Sequence, residues 1–412
     1  MWQKLSVFTI LVLVVLLGGN FINASGQSGG VTPGDITPAT SSTSAQEPQP
    51  FFVALNTFGN IHAFDISAQA GLSRYQVNIP QAGETPLILV EAAVGDFTGD
   101  RICDVMAFDN NKNLYRFVAG SDRRFTRQLV LQNALPATNF HLTSKIGDTT
   151  VADFNGDGRL DFAVSGAHCE NPPCLGVGED ELGDGLVQIF LNQGNGSFTR
   201  TSSVDFPQFD SRQYERIAGL GAGDFNQNGR MDLFIQHYWN AVDNPAYVAL
   251  NNGNGSFGAP TQLFTNPHVG GTNALVVGDF DKDGILDLVV GQDNDEPAGR
   301  TWFYKGLPGG TFENRGIAYD TNPDLGEGIG QGLADAYDFN RDGNLDIVAA
   351  AEGLGIYLFL GIGDGTFQER LALYDADGAW FKISTPPLGS EYACFWNEEA
   401  ATPHLYLPFL NR

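Results

Sequence analysis

Beyond the N-terminus, apolar positions come in short runs of Val, Ile, Leu and aromatic residues, each bounded by Gly, Asn, Asp or Pro. The run "ALVVGDF" (274–280) enters an acidic turn and "LDLVVGQ" (286–292) leaves it. "RTWFYKGL" (300–307) then reaches a hairpin at Pro308-Gly309-Gly310, and "TFENRGIAY" (311–319) closes the unit. Runs of this length and composition predict strands, and no 3.6-residue period accompanies them. The chain reads as all-β, in units of four strands.

The units repeat. The acidic turn appears as "DFTGDRICD" from Asp96, "DFNGDGRLD" from Asp153, "DFNQNGRMD" from Asp224, "DFDKDGILD" from Asp279 and "DFNRDGNLD" from Asp338. A second marker follows each turn, at Phe125, Phe198, Phe257, Phe312 and Phe367, four of them in a Gly-rich hairpin such as "NGSF" or "DGTF". Two markers in fixed order with a period of about 60 residues define a structural repeat. Four-stranded units repeated radially predict a β-propeller. The stretch "VALNTFGNIHAFDIS" (53–67) aligns with "VMAFDNNKNLYRFVA" (105–119), which makes it a first unit lacking its own first strand and acidic loop. Six units are countable. The C-terminal segment, running to "HLYLPFLNR", either supplies the missing strand or forms a seventh blade within 375–412.

Numbering each acidic turn from its first Asp, positions 1, 3, 5 and 9 carry oxygen side chains and position 6 is usually Gly. Crowded carboxylates repel one another, so the pattern calls for a cation among them. An all-oxygen set suits Ca²⁺. Asp, Asn and Gly also favour ordinary turns, but five in matching places argue for the metal. Asp279, Asp281, Asp283 and Asp287 supply four carboxylates, and this loop is expected to bind most tightly. Asp153, Asp157 and Asp161 with Asn155, and Asp338, Asp342 and Asp346 with Asn340, supply three each. Asp224 and Asp232 with Asn226 and Asn228 supply two and predict a weak site. Asp96, Asp100 and Asp104 persist in the first loop, where Thr98 and Arg101 replace the third-position amide or acid and the glycine, so that loop is a doubtful binder.

These units resemble FG-GAP/VCBS repeats and are similar to the calcium-bearing blades of integrin α-subunit propellers, over roughly residues 90–370. "NGSFGAP" (254–260) carries the signature most fully. The resemblance implies a propeller and Ca²⁺ held by the loop positions named above. It leaves activity open, because propellers host binding proteins and enzymes alike.

Composition narrows the partners. A formal charge of −26 excludes the basic footprint that nucleic acid requires. The basic start Met1–Lys4, the apolar stretch Leu5–Leu17 and the small residues through Ala24 predict a signal peptide over 1–24. Its apolar run of about 13 residues is short for a bilayer core of ~30 Å, although retention as an anchor stays open. Residues 25–50 are a Ser/Thr/Gly/Pro linker, and 51–412 the propeller. In an exported chain, Cys169 and Cys174 predict a local disulfide. Cys103 and Cys394 are left over and would clasp the ring if the C-terminus closes onto the first blades.

Up-down-up-down strands put the acidic loops on one face and the long connections on the other. Tyr214, Arg216, Tyr238 and Trp239 on those connections are candidates for a contact face, unless they pack their own loops. The sequence therefore predicts a secreted, calcium-binding propeller that binds extracellular carbohydrate or protein. A polysaccharide-active hydrolase or lyase on the same scaffold is the alternative. It would be favoured by an acid pair, or an acid cluster flanked by Lys or Arg, converging in the central channel.

Overall fold

The computed structural model describes residues 50–394 except 68–70, 121–123, 136–139, 143–146, 169–184, 202, 207–215, 239–243, 267–271, 293–299, 321–328, 352–354, 369, 376–379 and 389–393. The expected signal peptide, the linker through residue 49, Cys169, Cys174, Tyr214 and Trp239 lie outside these residues.

The chain folds into a six-bladed propeller of antiparallel sheets. From centre to rim, the second blade is Leu89–Gly95, Asp104–Asp109, Leu114–Ala119 and Phe125–Leu131; the fourth is Arg216–Gly223, Asp232–Tyr238, Asn244–Ala249 and Thr261–Asn266. The fifth runs Thr272–Gly278, Asp287–Gln292, Arg300–Leu307 and Thr311–Asp320; the sixth runs Ile329–Tyr337, Asp346–Ala351, Gly355–Phe359 and Leu371–Asp375. The third blade has the same plan around Asp161–His168 and Gly185–Asn192, with its first and last strands each split in two.

The first blade closes the ring. Its outer strands are Phe51–Asn56, Ile61–Ser67 and Gly71–Gln76, and its innermost strand is Trp380–Ser384, with Val53 opposite Ser384. The strand missing from the first unit is therefore supplied by the C-terminal part of the chain, and among the described residues there is no seventh sheet. Strand closure puts the chain break of the first blade where the other five blades have their acidic turn.

The core is a ring of interblade layers. Phe51, Val53 and Ile61 of the first blade pack with Val94, Val105 and Phe117 of the second, and Phe108 of the second meets Phe162 and Phe190 of the third. Phe52 stands edge-on to Phe339 of the sixth blade. Burying an aromatic side chain fully is worth roughly 1.5–3 kcal/mol, so adjacent blades hold each other. A disulfide between Cys103 and Cys394, with Cα atoms 5.0 Å apart, fastens the second blade to the chain's C-terminal segment.

Candidate metal centre: five acidic loops

Each acidic turn joins the first and second strands of its blade, and all five share one backbone path. Position 4 is left-handed in every loop: Gly99, Gly156, Gln227, Lys282 and Arg341 have φ between 58° and 80°. Position 6 is left-handed too, at Gly158, Gly229, Gly284 and Gly343, and also at Arg101 with φ 65°. The glycine lost from the first loop thus does not alter its shape. The double reversal turns successive amides inward onto the first carboxylate. Gly156 and Asp157 donate to Asp153 Oδ1 and Gly158 donates to Oδ2, at 2.7–3.1 Å. Asp96, Asp224, Asp279 and Asp338 accept equivalent amides.

The ninth-position Asp is buried and ties the loop to the third strand. Asp161 accepts from the Phe154 and Asn192 amides at 2.9 and 2.8 Å. Asp287 does so from Phe280 and Gly306, and Asp346 from Phe339 and Gly361. Asp232 and Asp104 accept from Asn251 and Ala119. Burial pushes the carboxyls of Asp104 and Asp161 up to about 7, and those of Asp287 and Asp346 to about 6, against the amide bonds that favour their charged forms. A structural role for position 9 was not apparent from the sequence, because its amide partners lie a strand away.

The donor set fits a hard cation. Carboxylate oxygens of Asp279, Asp281 and Asp283 all lie within 4.8 Å of one another. At position 3, Asn226 Oδ1 and Asp281 Oδ1 are buried without a hydrogen-bond partner, a costly state that a cation would relieve. In the fifth blade a second feature enters: the Lys305 ammonium pairs with Asp281 and, at 2.5 Å, with Asp283 Oδ2.

The two repeat markers meet between blades. Phe198 of the third blade stands edge-on to Phe97 in the second blade's acidic turn, with ring centroids 6.1 Å apart. Phe257 meets Phe154, Phe312 meets Phe225 and Phe367 meets Phe280 in the same way, at 5.7–6.1 Å. Backbone bonds accompany two of these joints, Gly255 N–H to Phe154 O and Gly365 N–H to Phe280 O. The hairpins therefore share a face with the acidic loops, each resting on the loop of the preceding blade.

The innermost strands enclose a central cavity of about 400 Å³, reaching from Asp148, Asp335 and Lys382 to the acidic loops at Asp224, Gln227 and Gly284. Lys382 pairs with Asp148 and lies 3.9 Å from Glu91, all three almost fully buried. Asp148 also accepts from Leu220 N–H, and Asp335 accepts from Thr385 N–H. Ser384 Oγ accepts from Val94 N–H. Inner strands of five blades are thereby linked. An acid cluster flanked by lysine does converge in the channel; Asp148 and Asp335 are engaged by Lys382 and by backbone amides, and Glu91 Oε2 is buried without a hydrogen-bond partner. Of the proposed contact face, Arg216 and Tyr238 fall at strand ends paired with one another.

Residues 177–235 and 238–290 match a family model described as FG-GAP-like repeat. No curated protein matches the chain. Among solved structures, a lectin of Agrocybe aegerita described as recognising non-reducing terminal N-acetylglucosamine is 17% identical at TM-score 0.47, over 80% of this chain and 91% of its own. A fucose-specific lectin from Aleuria aurantia is 11% identical at TM-score 0.44, over 80% and 96%. A Photorhabdus luminescens Tc holotoxin pore is 13% identical at TM-score 0.37, over 78% of this chain and 14% of that one.

Proposed function

We propose that this propeller, which carries FG-GAP-like repeats, is a secreted, calcium-stabilised binding module for extracellular carbohydrate or protein. The observation that carries the calcium reading is the pair of buried, unpartnered position-three oxygens, Asn226 Oδ1 and Asp281 Oδ1, in turns whose first carboxylate is already fixed by amides. A bound Ca²⁺ would supply positive charge to carboxylates that otherwise repel. The residues that would hold it are those at positions 1, 3, 5 and 9 of the loops from Asp153, Asp224, Asp279 and Asp338; the first loop offers only Asp96, Asp100 and Asp104. The Phe–Phe joints and ninth-position Asp residues give the loop face a structural task. On this reading ligand capture falls to the long connections expected opposite it (165–185, 206–216, 236–247 and 292–300), most of whose residues lie outside those described.

A cation that binds only the folded chain stabilises it by about 2.7 kcal/mol per site at hundredfold excess over Kd. Millimolar Ca²⁺ is expected to raise the melting temperature and chelator to lower it; identical melting curves would remove the calcium reading. A glycan array with and without Ca²⁺ tests the ligand class. Trp239→Ala and Tyr214→Ala are expected to weaken capture while calcium-dependent melting persists. Full capture by both variants would retire the opposite face.

The hydrolase or lyase alternative draws on one observation, the channel cluster of Glu91, Asp148, Asp335 and Lys382. Lys382 pairs with Asp148 and lies near Glu91, and Asp335 is held by the Thr385 amide, which favours a structural role, while Glu91 Oε2 is left without a hydrogen-bond partner. Turnover of any polysaccharide that Asp335→Asn abolishes in a folded protein would reverse that preference.

A further inference from the structure

We infer that Lys305 is a tethered competitor of the metal in the fifth blade, so that the loop richest in carboxylates takes up Ca²⁺ last. The inference rests on the calcium reading above and adds an order of filling that carboxylate count alone gets backwards.

In each of the five blades that have an acidic turn, the ninth-position Asp fixes the register of the third strand through the amide it accepts: Ala119, Asn192, Asn251, Gly306 and Gly361. The residue before each is Val118, Leu191, Leu250, Lys305 and Leu360. Four blades thus place an aliphatic side chain where the fifth places an ammonium. The same blade departs at position 3, where Thr98, Asn155, Asn226 and Asn340 of the others become Asp281. The extra carboxylate and the lysine occur together, and they touch: Lys305 Nζ bridges Asp281 and Asp283, two of the three acids whose oxygens cluster within 4.8 Å. Arg159, which pairs with Asp157 in the third blade, differs. It meets one carboxylate only, is more exposed, and is also held outside by the Asn192 carbonyl.

A cation entering the fifth loop must displace an ammonium that cannot diffuse away, and such a tethered group acts at a high effective concentration. The ammonium bridges two of the loop's four carboxylates and offsets part of their charge without metal, so the fifth blade keeps its shape at calcium levels where its neighbours' loops are empty.

The test is equilibrium dialysis of the full chain against buffered free Ca²⁺, counting ions bound per chain, for the wild type and Lys305→Leu. Lys305→Gln, which keeps a donor without charge, serves as a second variant should the first fold only with calcium present. Removing the ammonium is expected to shift one site to about tenfold or more lower free Ca²⁺. Adding Asp283→Ala to Lys305→Leu is expected to remove that site again. Chelator should lower the melting temperature of Lys305→Leu more than that of the wild type. If the wild type binds Ca²⁺ and both Lys305 variants fill identically, the inference falls while the calcium reading stands. If no variant binds Ca²⁺, both fall.

Discussion

At Gly158 and Gly284 a Cβ would meet nothing within 4 Å, yet both residues have φ near +80°. Alanine at either place therefore isolates conformational strain from crowding, and is expected to cost roughly 1–2 kcal/mol, read as a lower melting temperature; an unchanged value would mean the turn relaxes. Position 6 was legible because glycine marks it. Position 4 was not, since Gln227, Lys282 and Arg341 bear no sign of the left-handed backbone that the surrounding amide bonds impose on them. Single charges matter in the channel as well. Burial, partly opposed by Thr385 and Ala336 amides and by Lys382, pushes Asp335 up to about 6, and burial holds Glu91 well above the carboxylate range. Lys382, Glu91 and Asp148 are the charged groups around this strand junction. A folded pKa above the unfolded value means the native state binds the extra proton. Asp335's contribution is thus fully present below about 4 and is lost as pH rises through about 6. With Ca²⁺ saturating, Asp335→Asn is expected to flatten the melting temperature over that window relative to wild type; parallel profiles would exclude Asp335 as the source.

Between elements, the unit of stability is the joint where a hairpin Phe stands on the preceding blade's acidic turn. Phe154 is buried, and its replacement by Ala is expected to cost roughly 3–5 kcal/mol. Phe257→Ala should be coupled to it by about 0.5–1.5 kcal/mol in a double-mutant cycle by denaturant unfolding. Strict additivity would show that the rings act independently. The strands and the four-stranded unit were legible from the apolar runs, while six blades or seven stayed open without the strand pairing. The two Phe markers were legible from their recurrence. Their contact was not. The markers that touch belong to neighbouring repeats, and periodicity says how often a residue returns, not which copy it meets.

On the scale of the whole ring, closure depends on Trp380–Ser384 and on the bond between Cys103 and Cys394. Cys394→Ser is expected to lower stability by about 2–4 kcal/mol, and reductant should bring the wild type to the same melting temperature. A Cys394→Ser melting temperature equal to the wild type's would mean that the bond adds nothing to the folded ring. The sequence left this pairing open because cysteine spacing carries no distance information across 291 residues. It likewise left the closing strand undecided, since "WFKIS" carries neither marker and leads into no acidic turn.

Closure by the last strand also sets a timetable. The strand Phe51–Asn56, "FFVALN", is buried along its whole length, and among the described residues its inner edge pairs with 380–384. At synthesis rates of about 5–20 residues per second, that edge waits for tens of seconds while the intervening blades emerge. An apolar strand with unpaired amides is a template for association with other chains. The cost of a ring sealed by its own tail is therefore an interval in which the newborn chain is sticky. Pairing by residues 380–384 decides whether it becomes a closed molecule or an aggregate.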